Sequence, residues 1–245
     1  MENKTLFPIE DIVKLRQSAQ EADDPMVLLA IFPSLHIKKG FILHAYPYRT
    51  QLGGVGNVWA VPESSIIQDI EKYETIDLFE LARPFPIDNS CLDGLTMNGP
   101  VKLPHPPDAL DNIMEAIEGD RTPWSYLLAS IFAREIADFG ASWHGVIWST
   151  HTILSGDPWT YPHVWFEEDE KGLLSEQGWQ CSGRRPSEWK PSVVCDDGVT
   201  VVKFYTYSML VQEAIYCFTD IYEPNSYKFK GDVEIIAEGP NSMLF

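Results

Sequence analysis

Residues 122–140 constrain the fold more than any other stretch, because they carry a full set of helix start and stop signals around an apolar stripe. Thr122 can cap the first turn with its hydroxyl, and Pro123 suits the first helical position, where its missing N–H has no intrahelical partner. Gly140 suits the left-handed stop. Trp124, Leu127, Leu128, Ile131, Phe132 and Ile136 recur at helical spacing and form the face to be buried. Arg134, Glu135 and Asp138 fall on the other side and are expected to be solvated.

A helix of this kind needs a surface to pack on, and the chain after it reads as strands. Residues 146–154, 160–166, 192–196 and 199–207 are short β-branched or aromatic runs between turn residues. Asp197-Gly198 has the composition of a two-residue hairpin turn, which sets Cys195 opposite Thr200 and Val194 opposite Val201. In 208–222, Leu210, Val211, Ala214, Ile215 and Phe218 fit a helix. The aromatic and β-branched content of 215–222 instead favours a turn and then a strand, with Asn225 in the next turn and 227–237 extended. Before residue 122, helical spacing predicts helices at 8–22 and 63–73, and at 108–119 between an Asp108 cap and a Gly119 stop. Extended runs are expected at 26–32, 40–48 and 57–61, the last two pairing through the glycine-rich residues 52–56. The fold class is therefore α+β, with helices segregated from antiparallel sheets and mostly β after residue 145. One domain over 1–245 is expected, with the proline-rich residues 100–107 marking a subdivision into 1–105 and 106–245.

Charge excludes some functions. Thirty-six acids against 18 bases give a net charge of -18, shared by both halves of the chain instead of gathered in a tail. Such a surface repels phosphate, so no direct nucleic-acid binding and no binding to an anionic membrane are expected. It attracts a basic protein, or serves only solubility. The N-terminal residues lack a basic segment followed by an apolar run, and no apolar stretch approaches membrane-spanning length, so a cytoplasmic location is expected. Cys91, Cys181, Cys195 and Cys217 are far apart, without a Cys-x-x-Cys, and read as free thiols, Cys181 and Cys195 being packed ones.

Chemistry concentrates in residues 124–189, which hold seven of the eight tryptophans and three of the six histidines. His144, His151 and His163, with Glu167 or Glu168 nearby, are the residue types of a divalent metal site or a general base. Their spacing matches no metal motif. His151 and His163 would meet only if 146–154 and 160–166 formed a hairpin in one register. No metal is therefore expected, and His151, His163 and Glu167 are the candidates if one binds. Residues 140–145 miss the Gly-x-Ser-x-Gly elbow by one glycine and lie in the reverse context, and Gly53, Gly54 and Gly56 lack the rest of a phosphate loop, so no cofactor is expected.

Trp143, Trp159, Trp179 and Trp189, with Arg184 and Arg185, are the candidate partner or ligand contacts. The leading expectation is an acidic binding or regulatory protein that engages a basic partner through an acidic, aromatic surface. Two alternatives stay open. One is a small-molecule enzyme, such as a metal-dependent hydrolase, with its cleft around His144, His151 and His163. The other is a carrier of a small aromatic or anionic ligand.

Overall fold

The computed structural model describes residues 3–45, 48–50, 53–55, 57–65, 106, 108–143, 146–161, 163–164, 171–172, 174–210 and 212–241. Three α-helices are present among them, α1 (Glu10–Gln20), α2 (Pro25–Ala30) and α3 (Pro123–Asp138). The strands are β1 (Asn3–Leu6), β2 (Leu35–Ile37), β3 (Phe41–Ala45), β4 (Tyr48–Thr50), β5 (Gly53–Val55), β6 (Val58–Pro62), β7 (Ile117–Gly119), β8 (Ser142–Trp143), β9 (Thr152–Ile153), β10 (His163–Val164), β11 (Lys171–Gly172), β12 (Gln180–Cys181), β13 (Ser192–Asp196), β14 (Val199–Ser208), β15 (Ala214–Tyr222) and β16 (Phe229–Glu238). Every pairing is antiparallel. The fold is α+β and dominated by β, as the order of sequence signals predicts.

The main sheet runs β1-β13-β14-β15-β16-β12, and β9 joins β14 beyond the reach of β13. Alternation along β14 explains how the sheet is covered. Val202, Phe204 and Thr206 point into the principal core with α3, while Tyr205 and Tyr207 join a second, smaller cluster. From Phe204 to Tyr207 β14 is buried on both faces, and three of these four residues are aromatic. The expected hairpin has its expected register, Cys195 opposite Thr200 and Val194 opposite Val201. The strand expected late in residues 208–222 is β15, and β3 pairs with β6.

Helix α3 has the predicted ends. The Ser125 N–H donates to the Thr122 hydroxyl at 3.2 Å, and Gly140 sits at φ +76°. Its expected solvated face is a correction: 13 of its 16 residues are buried, Arg134 and Glu135 among them, so the helix is enclosed on all sides. The sheet covers one side, and α1 with residues 146–151 covers another. Asp138 is half-buried and accepts the N–H groups of Ile147 and Ser149, both at 3.0 Å.

Other expectations are overturned. Residues 26–32 are mainly helix, because Asp24 accepts the N–H groups of Met26 (2.7 Å) and Val27 (3.3 Å) and Pro25 takes the first helical position. The helix predicted over 108–119 is a single 3-10 turn, Ile113–Ala116, capped by Asn112, followed by β7. Asp108 has φ +61° and caps nothing there. Gly119 is required by close approach instead, since a Cβ would lie 2.5 Å from the Ser34 carbonyl and 2.6 Å from the Tyr227 hydroxyl. The strand expected at 146–154 is a 3-10 turn, Trp148–Thr150, and the short β9. Most of the helix predicted at 63–73, and all of the boundary at 100–107 except Pro106, lie outside the described residues.

Asp197 and Gly198 have φ +43° and +83°, so the hairpin places both turn residues in the left-handed region. A Cβ at Gly198 would meet nothing within 4 Å, so the cost of substitution there is conformational and not steric. Gly198→Val is expected to lose about 1–2 kcal/mol of stability in urea unfolding. An unchanged midpoint would mean the turn relaxes at no cost.

Candidate functional site

The outer face of the main sheet carries an aromatic cluster built from two loops and three strands, β14, β15 and β16. Residues 154–161 cross it, opening with the Leu154 N–H donated to the Tyr205 carbonyl (2.9 Å) and turning where Asp157 accepts the Trp159 N–H (3.0 Å). Residues 174–191 cross it again, delivering Trp179, Arg185 and Trp189. Trp159 stands edge-on to Trp179 (5.3 Å) and to Trp189 (6.2 Å), and Trp189 packs on Tyr205 at 5.1 Å. Trp159 and Trp189 are each 5% exposed, so they staple their loops to the sheet, while Trp179 is only half-buried.

Two cations lie over this cluster, Lys203 at 5.6 Å from the Tyr205 ring centre and Arg185 over Trp159. The Arg185 guanidinium sits 4.1 Å from the Trp159 ring centre, with Glu176 at 3.0 Å and Asp157 at 4.0 Å. Arg184, its neighbour, is exposed. Among the described residues the buried Trp159 indole N–H has no acceptor. Below the rings, Tyr207 donates its hydroxyl to the buried Glu213 carboxylate (2.9 Å), whose other oxygen accepts the Asn241 side-chain amide (2.8 Å). Burial, then the hydrogen bond to Glu213, push the Tyr207 phenol above its ordinary range, so it remains a donor. Burial likewise raises the Cys217 thiol in the same cluster, with Lys203 pulling the other way, which leaves it a packed thiol and not a nucleophile. Cys181 is exposed on β12, contrary to its expected packing.

The principal core holds the other concentration of polar groups. Arg16 from α1 meets Glu135 at 2.6 Å, stacks 4.6 Å over the Trp148 ring and donates to the carbonyls of Trp148 and His151. The Trp148 indole donates to the same Glu135 oxygen at 2.7 Å. Arg134 grips Asp220 on β15 through two bonds, 2.8 and 2.9 Å, between the rings of Phe218 and Phe204. His151 lies between these pairs, 3% exposed, with Nδ1 2.8 Å from the Thr206 hydroxyl. Burial first, then the Arg16 and Arg134 charges, lower its pKa from 6.5 to about 3. A neutral, enclosed imidazole at this depth is held by its packing and by the Thr206 hydroxyl.

The strand after His151 and the strand that carries His163 have different partners. β9 pairs with β14 and β10 pairs with β11, so the hairpin that would bring His151 to His163 is not formed. His163 enters only through the backbone of β10, and Trp143 only through that of β8. His144 and Glu167 lie outside the described residues. Of the candidate contacts, Trp159, Trp179, Trp189 and Arg185 lie together in this cluster. Sequence reasoning missed Tyr205, Tyr207 and Glu213; the signal for the two tyrosines was their aromatic bodies at alternate positions of β14, and Glu213 had none. No protein-family model, no curated protein and no solved structure matches this chain.

Proposed function

We propose that this chain is a cytoplasmic, non-catalytic binding protein that engages a basic protein partner through its acidic surface, with the outer aromatic cluster as its anchoring contact. The supporting observation is where the charge is not. The buried charged groups among the described residues are Arg16 and Arg134 against Glu135, Asp220 and Glu213, which nearly cancel. The other described charged side chains are half-buried or exposed, so the acidic excess they carry can act at long range. Trp179, half-buried beside the Arg185–Trp159 stack, fits the role of an aromatic anchor. No helix among the described residues is long and apolar enough to cross a membrane.

The two contributions separate kinetically. Surface charge speeds encounter and is screened by salt, whereas a desolvated anchor slows departure. With a basic partner identified from host extract and purified, association is expected to slow as salt rises. Trp179→Ala is expected to accelerate dissociation by roughly tenfold or more, with little change in association. A partner whose association ignores salt, or extract from which no basic protein is retained at low salt, sinks the proposal.

A further inference from the structure

We infer that two copies of this chain associate through β16, pairing antiparallel and edge to edge with Gly231 of one copy opposite Gly231 of the other. β15 pairs with β16 along its full length on one side. On the other side β12 reaches only Ala237 and Glu238, and Ser182 occupies the carbonyls of Ile235 and Ile236. From Phe229 to Glu234 no strand among the described residues pairs with that outer edge. An extended edge presents a row of backbone donors and acceptors that another strand can complete.

The side chains say which strand. Lys230, Asp232 and Glu234 alternate along one face and are exposed, and none forms an ion pair among the described residues. Their neighbours across on β15 are Ile221, Thr219 and Cys217, so this charge order serves no contact within the sheet. A two-fold axis perpendicular to the sheet keeps each side chain on its own face, and side chains directly opposite interact most strongly. With the axis at Gly231, Lys230 of each copy faces Asp232 of the other, and Phe229 faces Val233 on the core side. Lys228, already held by Glu115 (2.7 Å) and Glu223 (3.7 Å), faces Glu234, so the two Lys230–Asp232 pairs set the register. Moving the axis by one residue brings Lys230 against Lys230 or Asp232 against Asp232. Charges that merely blocked an edge would have no reason to leave one register free of like-charge contacts.

Sedimentation of the full chain across a concentration series tests the pairing. Wild type is expected to show a monomer–dimer equilibrium. K230D sets acid against acid at both contacts beside the axis and D232K sets base against base there, so each alone is expected to dimerise roughly tenfold or more weakly. Mixed in equal amounts, the two variants are expected to recover dimers, because acid on one then faces base on the other at both contacts beside the axis. Both positions are exposed, and circular dichroism melts matching wild type establish that the fold is kept. Self-association is also expected to strengthen from low to physiological salt, where a Debye length of about 8 Å screens the repulsion between two acidic molecules. Basic-partner binding has the opposite salt dependence, so the failure of either proposal can be told from that of the other. A wild type that stays monomeric throughout, single variants that dimerise as well as wild type, or a mixture that recovers nothing overturns the pairing.

Discussion

Asp220→Ala is expected to cost about 3–5 kcal/mol of folding stability, among the largest effects of any single substitution in this chain. Asp220 is fully buried and Arg134 is 2% exposed, so the substitution strands a guanidinium in the core with its two carboxylate bonds gone. What remains to it is the Ser130 carbonyl at 2.7 Å and the faces of Phe218 and Phe204, which are no substitute for a counter-charge. The Arg134 Nε has no acceptor among the described residues even in the intact protein, so the pair is incompletely satisfied from the start. Replacing both partners, Arg134→Met with Asp220→Leu, is therefore expected to be close to neutral, since it removes two desolvated charges together. Urea unfolding of the single and double variants measures this directly. A double variant as unstable as Asp220→Ala alone would show that the ion pair is a net source of stability.

The two buried ion pairs have one geometric origin. Arg134 and Glu135 are adjacent on α3, and successive helical residues point about 100° apart, so neighbours in sequence reach different walls of the core. Arg134 reaches β15 through Asp220, and Glu135 reaches α1 through Arg16. Together they tie sheet, central helix and N-terminal helix at one level, and Trp148 lies against both arginines.

That arrangement marks the limit of what the sequence alone discloses. Local chemistry was legible where it was complete in a few neighbouring residues, as in the Thr122-Pro123 start of α3 and the Asp197-Gly198 turn. It was misread where a longer pattern overrode a short one, since the apolar run 26–32 hid the Asp24-Pro25 cap. Arg134 and Glu135 were misread for a different reason: a charged residue is solvated by default, and only partners at positions 220 and 16, remote in the chain, make burial affordable. The aromatic site divides in the same way. Trp159, Trp179, Arg185 and Trp189 belong to nearby loops, whereas Tyr205 and Tyr207 reach them only once β14 is placed in the sheet.

His151 makes the buried network sensitive to acid, with a sign that follows from its surroundings. In the folded chain its pKa is lowered to about 3, against 6.5 for an exposed histidine, so over that interval the unfolded chain binds the additional proton. The associated stability is fully present above pH 6.5 and is lost progressively as the pH falls toward 3. One proton at about 1.4 kcal/mol per pH unit makes the whole loss about 5 kcal/mol. Carboxylates titrate in part of the same range, so the contribution of His151 is the difference between two curves. His151→Phe retains a flat ring against Trp148 and leaves the Thr206 hydroxyl without its partner, a penalty that does not vary with pH. The variant is therefore expected to be less stable than wild type at neutral pH, and to close or reverse that gap as the pH falls. Urea unfolding at intervals from pH 7 to 4 reads the difference. A gap that stays constant across that range would mean that His151 takes up its proton in the folded core, and that Arg16 and Arg134 do not hold it neutral.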